Sequence, residues 1–98
     1  MMAKIIVEVG KQMDGVTFRL SPQTRALLSP RFRSEQVPAS IFVSYETKSD
    51  FEHFHGPLCE HVVMILTGLN EQQLTNFGGF RFVTPTDDKV LFDSHALQ

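Results

Sequence analysis

"KIIVEVGKQMDGVTFRL", residues 4–20, is the stretch that decides the fold. Ile5, Val7 and Val9 alternate with Lys4, Ile6 and Glu8, so one edge of the segment is apolar and the other mostly polar. A period of two is the signature of a strand buried on one face. "KQMDG" follows, and Asp-Gly is a turn signal. Val16, Phe18 and Leu20 then alternate with Thr17 and Arg19. The segment therefore predicts two antiparallel strands joined by a loop of several residues.

Downstream, "SPQTRALLS" carries a helix start. Ser21 suits the cap, and Pro22 suits the first helical turn, where its missing N–H costs nothing. This helix has room for about two turns before Ser29-Pro30. Residues 29–39, "SPRFRSEQVPA", hold two prolines and little periodicity, which predicts a loop or flap. "SIFVSYE" reads as a third strand, with Ile41, Val43 and Tyr45 on one face and Phe42 on the other.

Ser49 and Glu52 match a capping box, which predicts a helix start. Gly56-Pro57 interrupts that helix, because Pro lacks the donor and crowds the preceding turn. The second part is expected to run to about Thr67, with Gly68 as its stop and Leu69 folding back behind it. Phe51, Phe54, Leu58, Val62, Ile65 and Leu69 form an apolar stripe at spacings of three and four. The stripe crosses the break, so one kinked helix lying on the sheet is expected. Asn70 and Gln73 form a second capping box, opening a short helix that Gly78-Gly79 closes. Phe80–Thr84 and Lys89–Asp93 read as a second hairpin, and residues 94–98 as a frayed tail.

The order is β-β-α-β-α-α-β-β. It predicts an α+β fold, with an antiparallel or mixed sheet of about five strands and helices packed on one face. Ninety-eight residues make one domain, residues 1–98, with a single core. Nine of the ten aromatic residues are Phe, so that core should be Phe-rich. The longest apolar run, Val62 to Leu66, is far shorter than a membrane span. No leader sequence is legible at the start. A lone Cys excludes an internal disulfide and fits a cytoplasmic setting.

The chain packs His53, His55, Cys59 and His61 into nine positions. The pattern resembles a ligand cluster, yet the spacing argues against one. Two residues on a helix are turned by about 200°, so Cys59 and His61 cannot share an ion. On this phasing Cys59 falls toward Val63 and Leu66, and His61 toward Glu60, Met64 and Thr67. His53, His55 and His61 are weak metal candidates, which converge only if the Gly-Pro kink folds them together. Cys59 lies in a first helical turn, where N–H dipoles can lower a thiol pKa. The plainer reading is a small buried apolar residue. No triad, phosphate-binding Gly loop or carboxylate pair is visible, so no catalytic residue and no cofactor is expected. Glu8, Glu46 and Asp93 look scattered.

Charge gives the stronger lead. Gly10–Arg33 carries five basic residues against Asp14, a net +4, whereas Ser34–Gln98 carries three basic and nine acidic residues, a net −6. "SPRFRS" sets Phe32 between Arg31 and Arg33. With Arg19 and Arg25 these residues form the expected partner-binding set, because Arg beside an aromatic suits an acidic surface or phosphate. The expected function is a small non-enzymatic accessory or regulatory protein acting through protein–protein contact, of the kind that phage and mobile-element genomes encode. A nucleic-acid binder using Arg19 to Arg33 is the alternative, disfavoured by a pI of about 6.0. A metal or thiol enzyme centred on Cys59 is the remote one. No membrane partner is expected, and a homodimer is compatible with the apolar strand pattern.

Overall fold

In the computed structural model, residues 4–28, 37–44, 56–87 and 89–94 are described. Five strands and three helices follow one another: β1 (Ile5–Lys11), β2 (Gly15–Leu20), α1 (Pro22–Leu27), β3 (Ser40–Ser44), α2 (Gly56–Thr67), α3 (Glu71–Leu74), β4 (Phe80–Val83) and β5 (Val90–Asp93). The strands form one mixed sheet in the order β3-β2-β1-β4-β5. This is the α+β architecture that the element order predicts.

The β1–β2 hairpin forms as its alternation requires, with Val9 opposite Phe18 and Val7 opposite Leu20. Gln12 N–H donates to the Gly15 carbonyl at 2.8 Å and closes the turn. The other sheet contacts are long-range. β1 pairs with β4 in parallel, Val7 opposite Phe82, and this pairing makes β1 the central strand. β2 and β3 pair antiparallel, as do β4 and β5, the latter with an irregularity at Phe82/Val83.

Alternation then sorts the side chains. Ile5, Val7, Val9, Val16, Phe18, Leu20, Phe82 and Phe92 are buried in one core with residues of α2. Phe18 meets Phe82 edge-on with ring centroids 5.6 Å apart, and Phe80 stacks on Phe92 at 5.9 Å. Such aromatic pairs add about 0.5–1.5 kcal/mol each beyond area burial.

Helix α2 lies over β2 and β4. Its buried residues are Cys59, Val62, Val63, Leu66 and Thr67, with Leu69 just behind. The stripe expected through Leu58 and Ile65 is therefore rotated. Leu58 is half-buried, and Ile65 is 37% exposed. Val62 and Leu69 of the expected stripe are buried, while Cys59, Val63 and Leu66 take the places expected for Leu58 and Ile65. The helix begins at Gly56. Phe51, Phe54 and the Ser49 capping box lie outside the described residues. Thr67, expected on the polar side, is buried, and its hydroxyl donates to the Val63 carbonyl at 2.7 Å. Gly68, at φ 72°, ends the helix in the left-handed region where Gly is favoured.

Helix starts hold elsewhere, but α3 ends at Leu74 with Thr75 as its cap, before the Gly78-Gly79 pair expected to close it. Ser21 caps α1, accepting from Thr24 N–H at 3.1 Å. Asn70 and Gln73 close a capping box at 2.8 and 2.9 Å. Ser94, expected to open the tail, instead continues the ladder: its N–H donates to the Phe80 carbonyl at 3.0 Å. Its hydroxyl accepts from Phe80 N–H at 2.9 Å. No helix among the described residues is long and apolar enough to cross a membrane.

Candidate functional site

The second face of the sheet carries the polar members of each alternation. Pairing across strands brings residues together that are far apart in sequence. Glu8 stands opposite Arg19 in the β1–β2 register, and Arg19 Nη2 reaches Glu8 Oε1 at 2.7 Å. Arg81 stands opposite Asp93 across β4 and β5. Asp93 accepts from Lys4 Nζ at 2.9 and 3.2 Å and from Arg81 Nε at 2.9 Å. Arg81 Nη2 lies 2.8 Å from the same carboxylate. Asp93 is the least exposed of the three, 13% at its side chain, so Lys4 and Arg81 cover it.

Two shallow hollows follow this face. One, of about 280 Å³, is lined by Glu8, Thr17, Arg19 and Ser40. The next, of about 530 Å³, lies over Ile6, Gln23, Arg81 and Val90. They are neighbours that share Glu8 and Pro85 in their linings.

The partner-binding residues read from the sequence divide here. Arg19 opposes Ser40 at the start of β3, and Arg25 Nη2 donates to the Ala39 carbonyl at 3.4 Å. The fold thus brings Arg19 and Arg25 to the same end of β3. Arg31, Phe32 and Arg33 lie outside the described residues. Phe42, 49% exposed, sits one strand position beyond Ile41 on the polar side and covers Gly15. Glu8 and Asp93, which look scattered in sequence, share the polar face, each held by cations rather than by another carboxylate. Sequence shows that these positions are polar. It does not show which strand brings each its partner.

Helix α2 separates the residues of the His/Cys cluster. Cys59 is fully buried, whereas His61 is exposed, as a spacing of two on a helix requires. Burial pushes the Cys59 thiol up to about 12, the opposite of activation at a helix start. His53 and His55 lie outside the described residues. Among the described residues, no three His, Cys, Asp or Glu side chains are placed to hold a metal ion.

The arrangement is an open sheet surface on which three cations meet two carboxylates. It exposes guanidiniums, hydroxyls and a few apolar side chains, among them Arg19, Thr17 and Val90. No family model, no curated protein and no solved structure matches the chain.

Proposed function

We propose that the chain is a small non-enzymatic accessory or regulatory protein that works by contact with another protein. The observation that carries this reading is that Arg19 and Arg25 are both set against the start of β3, Arg19 opposite Ser40 and Arg25 on the Ala39 carbonyl, at one end of an open polar sheet face. Arg25 follows Arg19 by six residues and precedes the Arg31-Phe32-Arg33 segment by six, so these basic residues belong to one stretch of the sequence. Arg is a residue of choice for interface recognition of carboxylates, since its planar fork binds them in pairs. The partner is accordingly a protein with an acidic surface. The cytoplasm is the compartment that a single buried thiol fits.

Nucleic-acid binding is the weaker reading on the same residues. The whole chain is net negative, −2 at pH 7 with a pI of about 6.0, whereas a dedicated nucleic-acid binder shows a basic domain.

The test is affinity capture with the intact protein, followed by titration of each captured protein in purified form. Wild type should bind directly, and Arg19→Glu/Arg25→Glu or Arg31→Glu/Arg33→Glu should weaken binding at least about tenfold. Unchanged binding by both charge-reversed variants would remove the reading. Retardation of DNA or RNA that weakens steeply with salt would replace it with the nucleic-acid one.

A further inference from the structure

A second concave surface lies away from the polar sheet face, between α2, α3 and the start of β4. Its volume is about 300 Å³. Leu74, Phe77 and Phe80 give it an apolar floor, and Glu60 of α2 and Glu71 of α3 supply its only charged lining among the described residues. Among the described residues neither carboxylate has a hydrogen bond or ion pair. This contrasts with Glu8, Asp87 and Asp93, each of which is engaged. The sequence makes the cleft where it does. The Asn70 capping box directs the chain into α3 and places Glu71 in its first turn. Gly79, at φ 105°, then turns the chain into β4, so Phe77 and Phe80 close the floor.

The chemistry of an occupant follows. An apolar floor with two unpaired carboxylates fits a segment that pairs an aromatic or aliphatic side chain with guanidiniums. The chain itself contains one, Arg31-Phe32-Arg33, with two cations around one phenyl group. Its charge is also segregated, net +4 over Gly10–Arg33 and net −6 from Ser34 onward. Each copy therefore carries both halves of a complementary contact.

We propose that the Glu60/Glu71 cleft receives the Arg31-Phe32-Arg33 segment of a second copy, so that the protein associates head to tail. The inference deepens the preceding reading, since it names a partner for the same basic segment. Such a contact joins two different surfaces, so each added copy leaves one cleft and one basic segment open. Association then continues past a dimer unless the ring closes. A single small cleft makes it weak and salt-sensitive.

Sedimentation equilibrium of the purified full chain tests this, from about 10 μM to about 1 mM at low salt. For wild type, the weight-average mass should climb above the 11.1 kDa monomer with concentration and fall back as salt is added. Glu60→Arg/Glu71→Arg and Arg31→Glu/Arg33→Glu should each associate at least about tenfold more weakly. An equimolar mixture of the two should associate again, because each then offers the complement of the other. Glu60→Gln/Glu71→Gln, which removes charge without reversing it, should fall between, and circular dichroism checks that each variant is folded. A wild type that stays monomeric, or one whose association ignores these substitutions, overturns the inference. If a captured heterologous partner still depends on Arg31 and Arg33 in that case, the inference alone falls and the accessory-protein reading stands.

Discussion

Gly15→Ala offers a sharp test of the sheet. Replacing Gly by Ala in a strand ordinarily stabilises by about 0.4–1 kcal/mol, because it restricts the unfolded chain. Gly15 has no left-handed φ to penalise the change. Space decides instead. A Cβ built there meets the Val43 carbonyl oxygen and the Phe42 ring in hard overlap, with Phe42 Cε1 at 2.6 Å. The phenyl can swing aside, since Phe42 is 49% exposed. The carbonyl cannot, because Val43 is held opposite Val16 in the β2–β3 ladder. Clearing it means opening the end of β3 by several tenths of an ångström or more. Overpacking of this kind costs about 1–3 kcal/mol. The net expectation is a loss of about 1–2 kcal/mol, a fall of about 4–16 °C in Tm for a domain of this size.

Gly10→Ala is the internal control. Its Cβ meets nothing within 4 Å, and its backbone also lies outside the left-handed region. It should gain about 0.5 kcal/mol. Urea unfolding followed by circular dichroism measures both, with an unchanged m value showing that the unfolded state is comparable. Gly15→Ala/Phe42→Ala separates ring from backbone. Since the carbonyl overlap remains, the double variant should not regain stability relative to Phe42→Ala alone. A Gly15→Ala protein as stable as wild type, or full relief by removing the ring, would refute the backbone argument.

Other outcomes follow from buried groups and ion pairs. Cys59 should resist thiol reagents until the protein unfolds, because its side chain is fully buried. Its folded pKa, pushed up from 9.0 to about 12, favours the protonated thiol; its contribution is whole below about pH 9 and lost as pH rises toward 12. The stability advantage of wild type over Cys59→Ala should therefore shrink by about 2 kcal/mol between pH 8.5 and 10.5, measured by chemical unfolding. Thr24→Val should cost about 1–3 kcal/mol although it conserves shape, because Thr24 Oγ1 accepts from Ile6 N–H at 2.9 Å. Thr24→Ser should retain most of that stability, and equal losses from the two substitutions would contradict this role. Asp93→Ala leaves Lys4 and Arg81 facing each other and should lower stability by about 1–2 kcal/mol, discounted for the partial exposure of both cations. A thermal melt unchanged at low salt would show the cluster to be energetically neutral.

Much of the architecture is legible in local pattern. Alternation in residues 4–20 identifies a hairpin and its buried side. Ser21, Gly68 and the Asn70/Gln73 pair mark helix ends because capping is satisfied within three or four residues. The candidate site was less legible. Arg19 and Arg25 stand out as basic residues. Their common placement at the start of β3, and the hold of Lys4 and Arg81 on Asp93, require contacts between distant segments. The stripe through Leu58 and Ile65 is only partly right: Val62 and Leu69 are buried, but α2 is apolar on several sides, and packing on β2 and β4 selects Cys59, Val63 and Leu66 for the core rather than Leu58 and Ile65. Gly15 looks like a turn residue after Asp14, yet its φ is not left-handed. Only the approach of Phe42 and Val43 explains it.

The sequence by itself thus determines which segments are strands and helices, which edge of each is apolar, and where α1 and α3 are capped. Periodicity and capping act over a few residues, and those residues are adjacent in the chain. Tertiary structure alone decides the strand order, the parallel union of β1 with β4, the ion pairs of the polar face and the Glu60/Glu71 cleft. Each joins positions distant in sequence, and burying one continuous apolar face selects among the pairings that local pattern leaves equivalent.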